Sequence, residues 1–176
     1  MHSSPWSPAR TFGLFLAVTL GSGVADVVAA QSTTRLTTLY AVPVSAEAGP
    51  VRLDDFVGFL SLLGRSREGS GKRLYPSAGG TYAVGVYIEV RPGGIEGLDG
   101  GIYYHHPEAH RLIRIASTPA SAREHHFFYN RTIYDRSAFT VYLVADLRAI
   151  EPLYGETSTS FVTLEAGHLG QLLMDR

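Results

Sequence analysis

The chain has 176 residues, 45% hydrophobic and 18% charged, the size and balance of one globular domain able to bury a core. Lys and Arg number 15 against 16 Asp and Glu, a net charge of −1, so no basic surface argues for nucleic acid and no polybasic segment for a membrane. The absence of cysteine excludes disulfides, thiolate metal sites, iron–sulfur clusters and a cysteine nucleophile, and it fits a cytoplasmic protein.

Residues 1–31 stand apart. One basic residue, Arg10, precedes an apolar run from Phe12 to Leu20, and "VVAAQ" offers small residues for cleavage near Ala30. This is a signal-like leader or a misassigned start; as a leader it would make the protein exported. Residues 32–52, "STTRLTTLYAVPVSAEAGPVR", read as an irregular Thr-, Ala- and Pro-rich connector. In "LDDFVGFLSLLGRS", Leu53, Phe56, Val57, Leu60 and Leu63 share a helical face; Asp54 or Asp55 is placed to cap it, and Gly64 to stop it. A polar link, "REGSGKR", leads to "LYPSAGG".

A strand follows, with Tyr82, Val84, Val86, Ile88 and Val90 on its core face. Ala83, Gly85, Tyr87 and Glu89 form a second face, small enough at Ala83 and Gly85 for close approach. "GIYYHH", "PEAH" and "RLIRI" predict a hairpin over 102–115. "SAREHHFFYNRTIYD" reads as loop with a helical turn. "AFTVYLVADL" reads as a second strong strand, with Phe139, Val141, Leu143, Ala145 and Leu147 on one face. "FVTLEAGHLGQLLM" is a helix with Val162, Ala166, Leu169 and Leu173 in register. Gly167 and Gly170 inside it suggest a face pressed against another backbone or a flat ligand. The elements give an α+β class with a mixed or antiparallel sheet.

No GxSxG elbow, P-loop or HExxH occurs. His105, His106 and His110 cluster, but adjacent strand residues point to opposite faces, so solvation at a hairpin end is preferred to a metal site, and no metal is assigned. Glu165 and His168 can share a helix face as an acid–base pair; a buried hydrogen bond is the preferred reading. Tyr75, Tyr82, Tyr103 and Tyr104 are either a stacking surface or core residues with polar tips. The sharpest signal is "YPSAGG". Pro76 fixes φ, Gly79 and Gly80 permit positive φ without bulk, and Ser77 with free amides can meet a polar ring edge. Because a strand follows rather than a helix, a flat ring suits the loop better than a phosphate.

Five blocks in order, "YPSAGGTYAVGVYIEV", "GLDGGIYYHHPEAHRLIRI", "NRTIYDRSAF", "IEPLYG" and "LEAGHLGQLLM", resemble the nitroreductase-like flavoprotein superfamily. They are most similar to its SagB-type dehydrogenase branch and to the oxidation domains of nonribosomal peptide synthetases. The resemblance covers residues 53–174. It implies an α+β flavin-reductase fold, FMN held between two subunits, and dehydrogenation of thiazoline or oxazoline rings to azoles by hydride transfer to the flavin. An NAD(P)H-dependent nitro- or quinone reductase is the alternative activity, and a non-catalytic half-subunit the alternative role. By resemblance, Pro76, Ser77, Ala78, Gly79 and Gly80 would line the isoalloxazine. Arg35 would reach the phosphate, Gln171 would contact the cofactor from the helix that packs near the subunit interface with Glu165, Gly167 and His168, and Lys72 and Tyr75 would supply polar contact or proton transfer. The implied partners are a small-molecule or carrier-bound peptide azoline and a second copy of the chain or a missing C-terminal half. The family pattern continues beyond the last helix, so residues 53–176 are expected to be the N-terminal part of such a domain. Neither nucleic acid nor membrane is expected as a partner.

Overall fold

The structure is a computed structural model that describes residues 36–45, 49–64, 71–118, 123–126 and 128–174. The leader-like segment and Arg35 lie outside the described residues, so the readings made on them stay expectations.

Five strands form one sheet: β1 (Leu36–Ser45), β2 (Val84–Val90), β3 (Gly101–His106), β4 (Arg111–Ala116) and β5 (Ser137–Asp146), in the order β1-β5-β2-β3-β4. Every pairing between them is antiparallel. The helices are α1 (Leu53–Ser61), α2 (Arg131–Arg136), α3 (Glu151–Tyr154) and α4 (Ser158–Met174).

One reading is overturned. Residues 36–45 belong to no irregular connector; they are the ten-residue edge strand β1, running from Leu36↔Asp146 to Ser45↔Ser137 along β5. Proline argued against a strand, but at an edge Pro43 needs no amide for an outer neighbour, and the Thr, Val and Tyr of "LTTLYAV" favour extended backbone. A second correction is local. Tyr82 does not open β2: its φ is +48°, and the strand begins at Val84.

The periodicities elsewhere hold. Val84, Val86, Ile88 and Val90 face the core beside their cross-strand partners Ala145, Leu143, Val141 and Phe139, and all eight are buried. Phe56 of α1 meets the Phe139 ring edge-on at 5.0 Å, with Phe59 at 5.6 Å. Val162, Ala166, Leu169 and Leu173 of α4 join the same cluster. On α1, Phe56 and Leu60 are buried while Leu53 and Val57 stay exposed, a narrower face than the spacing predicts. The acidic pair does not cap this helix. The N-cap position is Arg52, with no side-chain cap bond, and Asp54 and Asp55 lie in the first turn, where they complement the dipole.

The sheet's other face is phenolic. Tyr87, Tyr104 and Tyr142 are half-buried, and the Tyr142 hydroxyl donates to Glu89 Oε2 at 2.7 Å. The close approach predicted at Gly85 is made by protein: a Cβ there would stand 3.3 Å from the Tyr87 ring.

Candidate functional site

Burial alternates along the loop ahead of β2. Lys72 and Leu74 point out, Arg73 is half-buried and Tyr75 is buried, as a period of two requires. Ala78–Gly80 then forms a 3-10 turn in which Gly79 (φ +60°) and Gly80 (φ +67°) take the left-handed conformation that glycine adopts without steric cost. The turn is closed internally. The amides of Gly80 and Thr81 donate to the carbonyls of Ser77 and Ala78 at 3.1 and 3.2 Å, and the Tyr82 amide donates to Ser77 Oγ at 2.8 Å. Among the described residues, the amides of Ala78 and Gly79 donate to no backbone carbonyl, which leaves two donors at the turn. Gly80 opens to free space, with nothing within 4 Å of an added Cβ. A Cβ on Gly79 would stand 3.0 Å from the Tyr154 hydroxyl and 3.5 Å from Leu153 Cδ1. Leu153 is itself largely exposed, so α3 sets an apolar wall beside a bare stretch of backbone.

Glu165 anchors this loop from behind. It is buried on α4, and its Oε1 accepts the Val84 amide at 3.0 Å, tying the helix to the first residue of β2. Its Oε2 is buried with no hydrogen-bond partner among the described residues. Burial pushes this carboxyl above its ordinary value; the Ser77 hydroxyl, the Val84 amide and the Arg73 charge act in the opposite direction. Glu165 thus makes a buried hydrogen bond, but to the Val84 amide of β2; it is not paired with His168, which is exposed.

The remaining candidates are spread apart. Pro76 and Lys72 are exposed beside the turn, and Ser77 and Ala78 are half-buried in it. Tyr75 turns away from the turn: its ring is buried and its hydroxyl accepts from Arg73 Nη1 at 2.7 Å. Burial raises the Tyr75 phenol above its ordinary value, so it holds its proton at neutral pH. Gln171 is exposed on α4, on another element from the turn. Of the tyrosine quartet, Tyr75 and Tyr103 are core residues with bonded tips, the latter donating to the Asp99 carbonyl at 2.8 Å. His105 and His106 do point to opposite faces, but His105 is buried and bonded to His110 (Nε2 to Nδ1, 3.1 Å), so solvation does not describe it. Among the described residues no three His, Asp or Glu converge on a point where a metal would sit. No helix among them is long and apolar enough to cross a membrane.

Sequence reasoning missed two parts of this region. One is the inward turn of Arg73: "KRLYP" sets an apolar residue on each parity, Leu74 and Tyr75, so alternation alone does not say which face turns in. The other is the closeness of Leu153 and Tyr154 to the space a side chain on Gly79 would fill, which no local pattern encodes.

No family model matches the chain. A curated relative, named "Putative nitroreductase MJ1384" and from Methanocaldococcus jannaschii, is 26% identical over 101 residues, 57% of this chain and 50% of its own length. Among solved structures, a chain of the E. coli microcin synthetase McbBCD complex, with truncated pro-MccB17 bound, aligns over 98% of this chain and 62% of its own, at 16% identity and a TM-score of 0.58. A "putative nitroreductase" of Anabaena variabilis aligns over 75% of this chain and 28% of its own (22% identity, TM-score 0.57). Another, from Ralstonia eutropha, covers 74% and 57% (18% identity, TM-score 0.55). The fold is nitroreductase-like, an α+β antiparallel sheet with flanking helices, as the motif resemblance implied. The chain spans half the length of the curated relative and 28% to 62% of these structures' chains.

Proposed function

We propose that this chain contributes the ring-edge loop of an FMN-dependent oxidoreductase that dehydrogenates azoline rings in peptide-derived substrates. The observation that carries the reading is the turn at 78–80: two left-handed glycines, two amides with no backbone acceptor among the described residues, and open space above Gly80. That donor set fits the carbonyl and nitrogen edge of an isoalloxazine, and the exposed Leu153 beside it fits the ring's apolar surface. When bound, FMN would supply the two-electron chemistry, taking hydride from the substrate carbon.

The chain's own residues would do the positioning. Ala78 and Gly79 would donate to the ring edge, while Pro76 and the Glu165–Val84 bond keep the turn in place. Lys72, exposed beside the turn, is the candidate polar contact to substrate. Tyr75, buried behind Arg73, would hold the loop's inner face rather than meet substrate. Arg35 would reach the phosphate, and Gln171 on α4 would face a second copy of the chain. The peptide nature of the substrate is favoured by the synthetase complex found with truncated pro-MccB17.

The test is FMN uptake by the purified chain, followed by flavin absorbance and fluorescence. Saturable uptake that weakens in Gly80→Val supports the reading, because the added side chain fills the space above the turn. A protein that takes up no FMN overturns it for this chain. A nitro- or quinone-reductase activity is the second reading, favoured by the curated relative's name. NADPH that bleaches the bound flavin selects it, and azoline turnover under oxygen without NADPH selects the first.

A further inference from the structure

Behind the turn, and apart from the flavin reading, lies a second polar feature. A cavity of about 40 Å³ sits between the 73–82 segment, the start of β2 and the end of β3, walled by Arg73, Tyr75, Tyr82, Gly85, Tyr104 and His105. That volume has room for roughly two or three water-sized groups. Its one firm charge is Arg73. The guanidinium lies over the Tyr82 ring at 4.4 Å, its Nη1 donates to the Tyr75 hydroxyl, and its backbone amide donates to the Tyr82 hydroxyl at 2.9 Å. Among the described residues no Asp or Glu makes an ion pair with it, and its remaining guanidinium donors have no protein acceptor. A half-buried cation of this kind carries a desolvation cost that an ordinary protein offsets with a carboxylate. The acid whose field reaches Arg73, Glu165, makes no ion pair with it: its Oε1 accepts the Val84 amide, and burial raises its pKa towards the neutral form.

We propose that this cavity is a binding site for a single small carboxylate, held by the Arg73 guanidinium between the Tyr82 and Tyr104 walls. The planar fork of an arginine matches a carboxylate in two parallel hydrogen bonds, and the walls admit a flat group. The volume suits a formate- or acetate-sized head, either free or as the terminus of a peptide, and is too small for a phosphate ester with its sugar.

His105 gives the site a reporter. Its pKa is pushed down to about 4 by burial first, and then by the neighbouring His110, Arg73 and His106. A carboxylate beside Arg73 would offset the cationic field, so ligand binding must raise the His105 titration point and take up a proton as pH falls.

The experiment uses the full chain without flavin. Sodium formate is titrated at pH 6 against sodium chloride at equal ionic strength, with NMR of the arginine Nε–H resonances and of the histidine rings. The expected result is a saturable shift of the Arg73 resonance with formate and not with chloride, and an upward shift of the His105 titration. In Arg73→Gln the formate affinity should fall by about tenfold or more. A non-saturable response, the same response to chloride, or retention in folded Arg73→Gln overturns the proposal. The His105 readout in the unaltered chain decides it even if that variant does not fold. A short peptide with a free C-terminus, compared with its amide, separates the two sources. Displacement of formate by the acid alone assigns the site to a peptide terminus, and no displacement assigns it to a free small acid. FMN uptake is measured separately on the unaltered chain, so its failure and the failure of formate binding are distinguishable.

Discussion

Glu165 on α4 and His105 on β3 are both buried, and their burial has opposite consequences for the pH dependence of stability. Burial raises the Glu165 carboxyl above 4.5. The stability it contributes is therefore present below its unfolded value and lost as pH rises through the raised native value. Glu165→Gln keeps an acceptor for the Val84 amide and carries no charge. Urea denaturation should find it at least as stable as the wild type in alkali, with a flatter profile from the ordinary carboxylate value upward. Glu165→Ala, which removes the acceptor and leaves a void, should lose about 2–4 kcal/mol at pH 5. His105 runs the other way. With its native value held near 4 against an ordinary 6.5, its contribution is present above 6.5 and lost as pH falls towards 4. His105→Gln should remove that acid limb from a melting-temperature profile; an unchanged limb would place the acid sensitivity elsewhere. The permissive glycines of the turn were legible in the sequence, since few other signals put Gly79 and Gly80 at positive φ beside a strand. The inward face of the loop was not. Whether Lys72 or Arg73 turns in depends on where β2 begins, and Tyr82, which breaks the alternation with φ +48°, hid that point.

At the scale of elements, periodicity identified what hydrophobic spacing can identify. Strands β2, β3 and β5 and helix α4 were readable because one face of each is apolar and buried, whereas β4, which buries no residue, was read from the turn that joins it to β3. The edge strand β1 was not, because an edge is held by its backbone bonds to β5, and those leave no signature in side-chain alternation. The order β1-β5-β2-β3-β4 was equally hidden, since it brings together segments such as 36–45 and 137–146 that are remote in the chain. Phe139 ties α1 to the sheet by receiving both Phe56 and Phe59 edge-on. Phe139→Ala should cost about 3–5 kcal/mol in chemical denaturation, with the loss concentrated in α1 by hydrogen exchange. Protection in α1 equal to the wild type would show that the helix is held by other contacts.

At the scale of the whole molecule, the outer side of α4 is the surface that the core does not use. Leu164 is 60% exposed and Met174 36%; His168 and Gln171 are exposed between them, and Gly167 lies half-buried in the middle with nothing within 4 Å of an added Cβ. The second copy proposed as partner would seat here, because a glycine in mid-helix costs about 1 kcal/mol relative to alanine and is tolerated where a close neighbour needs the space. The substitution that tests this is Gly167→Arg. Within one copy a Cβ at this position has nothing within 4 Å, and arginine improves helix propensity by about 1 kcal/mol, so the melting temperature of the isolated chain should hold or rise. Across an interface the same side chain would occupy the contact and bring a charge into it. Sedimentation over a wide concentration range should therefore show the wild type associating and Gly167→Arg remaining single. Two species that both stay monomeric would remove the second copy from the proposal, and two that both associate would move the contact to another face, with the half-buried Tyr87, Tyr104 and Tyr142 side of the sheet the next to be altered.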